Sequence, residues 1–175
     1  KKGYFKDAMK WFKKAERLEP HNLKVQYAMG NMFYLKGEYD KAISKLEYVL
    51  NKGLDDQSVT DVLMSSYNNA AVACYTKKKD FNKGLELVDK ALQFDPNSEF
   101  PLSTKAELLF KMGRVKDAEE YIQKVIAVKP DTEFFARLGC EQQELDDFGL
   151  AKRYYKESLK LDPNNSKAIC NLGLV

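Results

Sequence analysis

The side chains that could carry chemistry are few and scattered. Acid–base catalysis needs titratable groups that converge on one point. The chain has a single histidine, His21, which follows Pro20 in a turn between two apolar-periodic segments, where solvent exposure is the default. Cys74, Cys140 and Cys170 are too widely spaced for a zinc knuckle or a redox Cys-x-x-Cys pair. Cys74 and Cys140 fall among small residues on helix faces, where a thiol packs as a small hydrophobe, although Cys140 also has the phase to look into a groove. Glu141, Glu144, Asp146 and Asp147 crowd one helix end, and a charge run of that kind is a solvated surface before it is a metal site. No catalytic, cofactor-binding or metal-binding residue emerges, and a binding function is expected in place of an enzymatic one.

What positions such a surface is set by composition and repetition. Hydrophobic residues make up 44% and charged residues 31% of the 175, the balance of a folded chain. Only five prolines and nine glycines interrupt it, so long helices are permitted. The net charge of +3 arises from 29 basic and 26 acidic residues spread along the sequence, which generates little field of one sign. Nucleic acid is therefore not an expected partner. The one basic run, Lys77, Lys78 and Lys79, falls at a helix C-terminus and complements its dipole. No apolar run reaches the roughly 18 residues of a membrane span, and the N-terminus lacks an apolar signal segment. With an odd number of scattered cysteines, these features predict a soluble protein in a reducing, cytoplasmic space.

Prolines reveal an internal period. Pro20, Pro96, Pro130 and Pro163 close the words RLEP, QFDP, AVKP and KLDP; Pro96 to Pro130 is 34 residues, Pro130 to Pro163 is 33, and Pro20 to Pro96 is 76, or two periods of 34 plus eight. Twelve residues before each proline stand Ala8, Gly84, Ala118 and Ala151, and fifteen before stand Phe5, Phe81, Val115 and Phe148. A repeat without proline fits if Leu54 closes it, which puts Ala42 and Tyr39 in the small and aromatic slots. A second small residue lies twelve positions upstream of the first, as in Gly30 with Ala42, Ala106 with Ala118 and Gly139 with Ala151. Paired small residues let two helix backbones approach closely. Turn signals at Lys36-Gly37-Glu38, Lys79-Asp80, Met112-Gly113-Arg114 and Asp146-Asp147 then divide each unit into helix, tight turn and helix. The eight extra residues, 57–64, contain no Gly or Pro and carry Val59, Val62 and Leu63 at helical spacing, which predicts two added turns on the following helix.

In the words GNMFYLKGEYDKAISKLEYVL, ACYTKKKDFNKGLELVDKALQFDP and FGLAKRYYKESLKLDPNN, the sequence resembles the tetratricopeptide repeat family over nearly its whole length. The resemblance implies an all-α, right-handed superhelical solenoid of stacked antiparallel hairpins whose first helices line a concave groove. It also implies a scaffold or adaptor that binds a peptide or a partner surface there; the alternative is a substrate-presenting or regulatory segment of a larger enzyme. The expected division is a single array over 1–175, with a partial unit 1–22, units 23–56, 57–98, 99–131 and 132–165, and a partial or capping helix 166–175. Lys79 and Asp146 depart from the family by replacing the turn glycine, and Val125 and Ser158 stand where Ala15 and Ala91 do. Family members that grip C-terminal carboxylates of chaperone tails use lysine, asparagine and arginine at set positions. Here Asn31 matches, but Tyr27, Ala70, Phe100 and Thr104 take the others, so that recognition is not expected.

Side chains three and four apart share a helix face. By that phase the groove would be lined by Lys24, Tyr27, Asn31 and Tyr34; by Ser66, Asn69, Ala73, Thr76 and Lys77; by Phe100, Ser103, Glu107, Phe110 and Lys111; and by Glu133, Ala136, Cys140, Gln143 and Glu144. The asparagines would hydrogen-bond an extended backbone. Tyr27, Tyr34, Phe100 and Phe110 would supply apolar contact area, unless each packs against a neighbouring helix instead. The chain opens on the second half of a hairpin and closes inside the first half of another. A segment of a longer protein is expected, with self-association through uncapped ends as a consequence of its exposed apolar residues.

Overall fold

A computed structural model describes residues 2–54, 56–129 and 131–175. Pro130, one of the four period markers, lies outside the described residues, as does Asp55. Ten α-helices follow one another without a strand among the described residues: α1 (Lys2–Leu18), α2 (Leu23–Lys36), α3 (Tyr39–Asn51), α4 (Gln57–Ala73), α5 (Phe81–Phe94), α6 (Glu99–Lys111), α7 (Val115–Val128), α8 (Thr132–Glu144), α9 (Phe148–Leu161) and α10 (Ser166–Leu172). Their starts are set locally. Asn22, Asp56, Asp80, Asp131, Asp147 and Asn165 each accept a hydrogen bond from a backbone N–H of the first turn, satisfying donors that the helix itself leaves unpaired.

Four hairpins result, α2/α3, α4/α5, α6/α7 and α8/α9; α3 packs on α4 and α5 on α6, and the third and fourth hairpins are joined through side chains. The first helices α2, α4 and α6 also touch in succession, so they share one face of the stack. Small residues make the closeness within the hairpins possible. A methyl group on Gly30 would meet Leu46, and one on Gly139 would run into the Tyr155 ring. The core is continuous along α2 to α5, around Leu46, Leu63, Tyr67 and Val88, and a second cluster joins α6 to α9. In that second cluster aromatic side chains make the join: Phe135 stacks on Tyr154, and Phe110 meets Tyr154 edge-on.

The first helix of the second hairpin is the exception in length. α4 has 17 residues and runs straight into a five-residue π-helical turn, Cys74–Lys78, giving 22 where α2 has 14; the difference is the eight added residues. Val59 and Leu63 are fully buried, so the added turns extend the core as the sequence predicts. The π-turn itself has no counterpart in that reading. It widens the helix by one residue per turn, and Cys74 and Tyr75 are both buried there. Turns within hairpins need a left-handed residue: Gly37 and Gly113 provide it at φ 78° and 74°, while Lys79 and Asp146 adopt it at 56° and 60°. The substituted turn positions thus keep the family geometry at the expense of backbone strain.

Candidate protein-binding groove

On the shared face of the first helices, a depression of about 270 Å³ opens between α2, α4 and α6, lined by Tyr34, Met64, Ser65, Asn68, Asn69, Ser98, Phe100 and Pro101. The fold thus gathers Tyr34, Asn69 and Phe100, three residues singled out by phase, into one place. Phe100 is 71% exposed, and with Met64 and Tyr34 in the same lining it forms part of a contiguous apolar surface. Tyr34 is half-buried, with its ring tilted against Tyr39. Asn68 lines the same wall, half-buried, its side-chain carbonyl oxygen turned inward and without a hydrogen-bond partner among the described residues. Lys24 and Lys77 are exposed at the flanks, Asn31 is half-buried, and Tyr27 packs against the core.

Further along the face the floor is polar and tied. Glu107 is 6% exposed; its two oxygens accept from the Tyr75 hydroxyl and from Arg137 Nε, both at 2.8 Å. Lys111 lies 3.2 Å from Glu141. Burial, and then the Glu107 carboxylate, push the Glu141 carboxyl up to about 7, against the pull of Lys111 and Arg137. Burial also raises the Tyr75 hydroxyl well above its ordinary range, which keeps it a donor. The strut joins the π-turn, α6 and α8, so three successive hairpins share it.

Two expectations give way here. Phe110 is 1% exposed and lies inside the α6–α9 core against Tyr154, because the join between those hairpins is filled by aromatic rings; it offers no contact area to a partner. The phase expected for α8 is one residue out. Ala136 is buried, whereas Arg137 is exposed and Glu141 makes the contact to α6. Ser66 and Ser103 are likewise buried, each donating its hydroxyl to a carbonyl of its own helix. A helix advances 100° per residue, so a phase error of one position turns a groove residue into a core residue. Arg137 and Glu141 were missed for that reason, whereas Met64, Asn68 and Pro101 line the depression from beside the correctly phased Asn69 and Phe100.

The remaining chemistry-bearing side chains stay apart. His21 Nδ1 lies 2.9 Å from the Tyr48 hydroxyl on the surface. Cys140 is half-buried and its Sγ accepts from Asn171 Nδ2 at 3.1 Å. Among the described residues no group of three or more His, Cys, Asp or Glu side chains is placed to hold a metal ion, and no helix is long and apolar enough to cross a membrane. A second cleft of about 240 Å³ lies between α7 and α9; Arg153 and Glu119, both in its lining, pair across it at 2.8 Å.

Comparison with known proteins agrees with this architecture. Tetratricopeptide repeat profiles match residues 75–138 and 132–165, together more than half of the chain. The TPR repeat-containing protein MJ1428 of Methanocaldococcus jannaschii is 25% identical over all of this chain and 33% of its own length. The human protein O-mannosyl-transferase TMTC1 is 22% identical over 98% of the chain and 19% of its own length. The chain thus spans a third or less of these two relatives. Among solved structures, MamA superposes with a TM-score of 0.67 at 18% identity, covering 95% of this chain and 87% of that one. YrrB, described as a TPR protein with an unusual peptide-binding site, superposes at 0.65 and 16% identity, covering 97% and 84%. The architecture is that of a tetratricopeptide solenoid. The chain belongs to the tetratricopeptide repeat family, whose arrays act as scaffolds for protein–protein interaction.

Proposed function

We propose that the concave face holds an extended peptide or a partner surface, anchored in the depression between Tyr34, Asn69 and Phe100. The observation that carries this reading is a 71% exposed phenylalanine lining a depression on the shared face of the first helices, beside Tyr34, Met64 and Asn69. Phe100, Met64 and Tyr34 offer apolar area, and the two asparagines can pair with a ligand backbone without reading its side chains. The peptide-binding site named for the YrrB structure supports the same use of the fold. A chain-terminal carboxylate is not the proposed ligand. Asn31 has no cation at the matching positions, and Ala70 and Thr104, which hold two of them, are buried.

Panning a random-peptide display library tests this. Peptides enriched on the native chain are expected to bind Tyr34→Ala and Phe100→Ala variants about tenfold more weakly each, with circular dichroism unchanged. Binders indifferent to both substitutions would remove the groove from consideration. A second reading, a substrate-presenting segment of a larger enzyme, is favoured by the match to 19% of an O-mannosyl-transferase. A catalytic domain elsewhere in the full-length protein would select it, and the same groove would then hold the substrate.

A further inference from the structure

We propose that the groove continues over the lengthened end of α4 into a second, acidic hollow, and that the two together select a segment in which a bulky apolar residue adjoins lysine or arginine. This rests on the concave-face reading above and names the chemistry of its ligand. Met64 is the hinge of the surface. On one side it lines the depression with Phe100; on the other it lines a hollow of about 200 Å³ with Gln57, Thr60, Asp61, Phe94 and Asp95. Gln57, Thr60, Asp61 and Met64 all belong to the added residues 57–64. A first helix of ordinary length would have no second hollow.

The surface has the two attributes of a docking site for an apolar and basic segment. Its apolar part is fixed in place: Phe94 is 42% exposed while its ring lies stacked against Tyr67 at 6.4 Å, so little side-chain freedom remains to be lost on binding. Its charge is anionic. Asp61 accepts from Gln57 Nε2 at 2.8 Å and Asp95 from the Asn97 N–H at 2.9 Å; these neutral donors orient the carboxylates without cancelling their charge. No lysine or arginine lines either hollow among the described residues. Exposed apolar area edged by one sign of charge is complemented by apolar area edged by the other.

The test pans a random-peptide display library against the whole chain and assays enriched peptides on an Asp61→Asn, Asp95→Asn double variant, in which both accepted hydrogen bonds can persist. The enriched peptides should carry Lys or Arg next to Phe, Leu or Met. They should bind the double variant about fivefold more weakly at low salt, a difference that narrows as ionic strength rises. Peptides that depend on Tyr34 and Phe100 yet show no basic bias and no loss on the double variant would overturn this inference and leave the groove standing. A library that yields no peptide sensitive to Tyr34→Ala and Phe100→Ala would overturn both.

Discussion

At the residue scale, two side chains occupy positions that the physical chemistry would assign otherwise. Lys79 takes a left-handed conformation where the equivalent turns use Gly37 and Gly113. A side chain with a Cβ pays about 1 kcal/mol there, so Lys79→Gly is expected to raise stability by about 0.5 to 1 kcal/mol in urea denaturation. Asp146→Gly should gain less, because aspartate tolerates this region. Glu141 is the second case. Its folded carboxyl sits at about 7 against an ordinary 4.5, so between those values the native state binds more protons than the unfolded chain. Stability therefore falls as pH rises from 4.5 towards 7 and is level above that, by about 3 kcal/mol in total. Glu141→Gln should flatten that part of the profile and be the more stable protein at pH 8; parallel profiles for the two would show that the Glu141 carboxylate is not strained by burial. The turn position was legible, because Lys79 and Asp146 stand where the repeat is expected to carry glycine; the burial of Glu141 was not. Asp146 and Glu141 both look like members of a solvated charge run, and only the approach of α6 separates them.

At the scale of elements, small residues decide how close two helices come. Replacing glycine by alanine inside a helix gains about 1 kcal/mol in propensity, and the neighbour decides the net sign. At Gly30 the added methyl meets Cγ of the fully buried Leu46 at 2.9 Å, a milder clash than at Gly139 that offsets the propensity gain, so Gly30→Ala should cost about 1 kcal/mol or less. At Gly139 it meets a buried ring whose hydroxyl is pinned by donating to Gln143 at 2.9 Å. Gly139→Ala should cost about 2 kcal/mol, read as a lowered thermal midpoint. The helices themselves were legible because apolar period, aspartate or asparagine caps and turn residues all agree. The added turns of α4 were legible too, since residues 57–64 contain no breaker and carry Val59 and Leu63 on one face. The π-turn at Cys74–Lys78 was not, because a one-residue widening leaves no mark on residue types.

At the scale of the whole molecule, the stack offers one face built from first helices, and its two halves differ. Around α2, α4 and the start of α6 the face is open and apolar. Towards α8 it is closed by the Tyr75–Glu107–Arg137 strut and the Lys111–Glu141 pair. Tyr34, Asn69 and Phe100 could be found from phase alone because the stacking of α2, α4 and α6 keeps their register. Phe110 could not be assigned, since the aromatic filling between α6 and α9 is a property of the join and not of either hairpin. The central claim is that this open half is where a partner is held. Amide chemical-shift mapping of the isotope-labelled chain during titration with an enriched peptide tests it most directly. The perturbed signals should cluster at Tyr34, Met64, Asn68, Asn69 and Phe100; a cluster at Glu119, Gln123, Tyr154 and Glu157, around the cleft between α7 and α9, would contradict it.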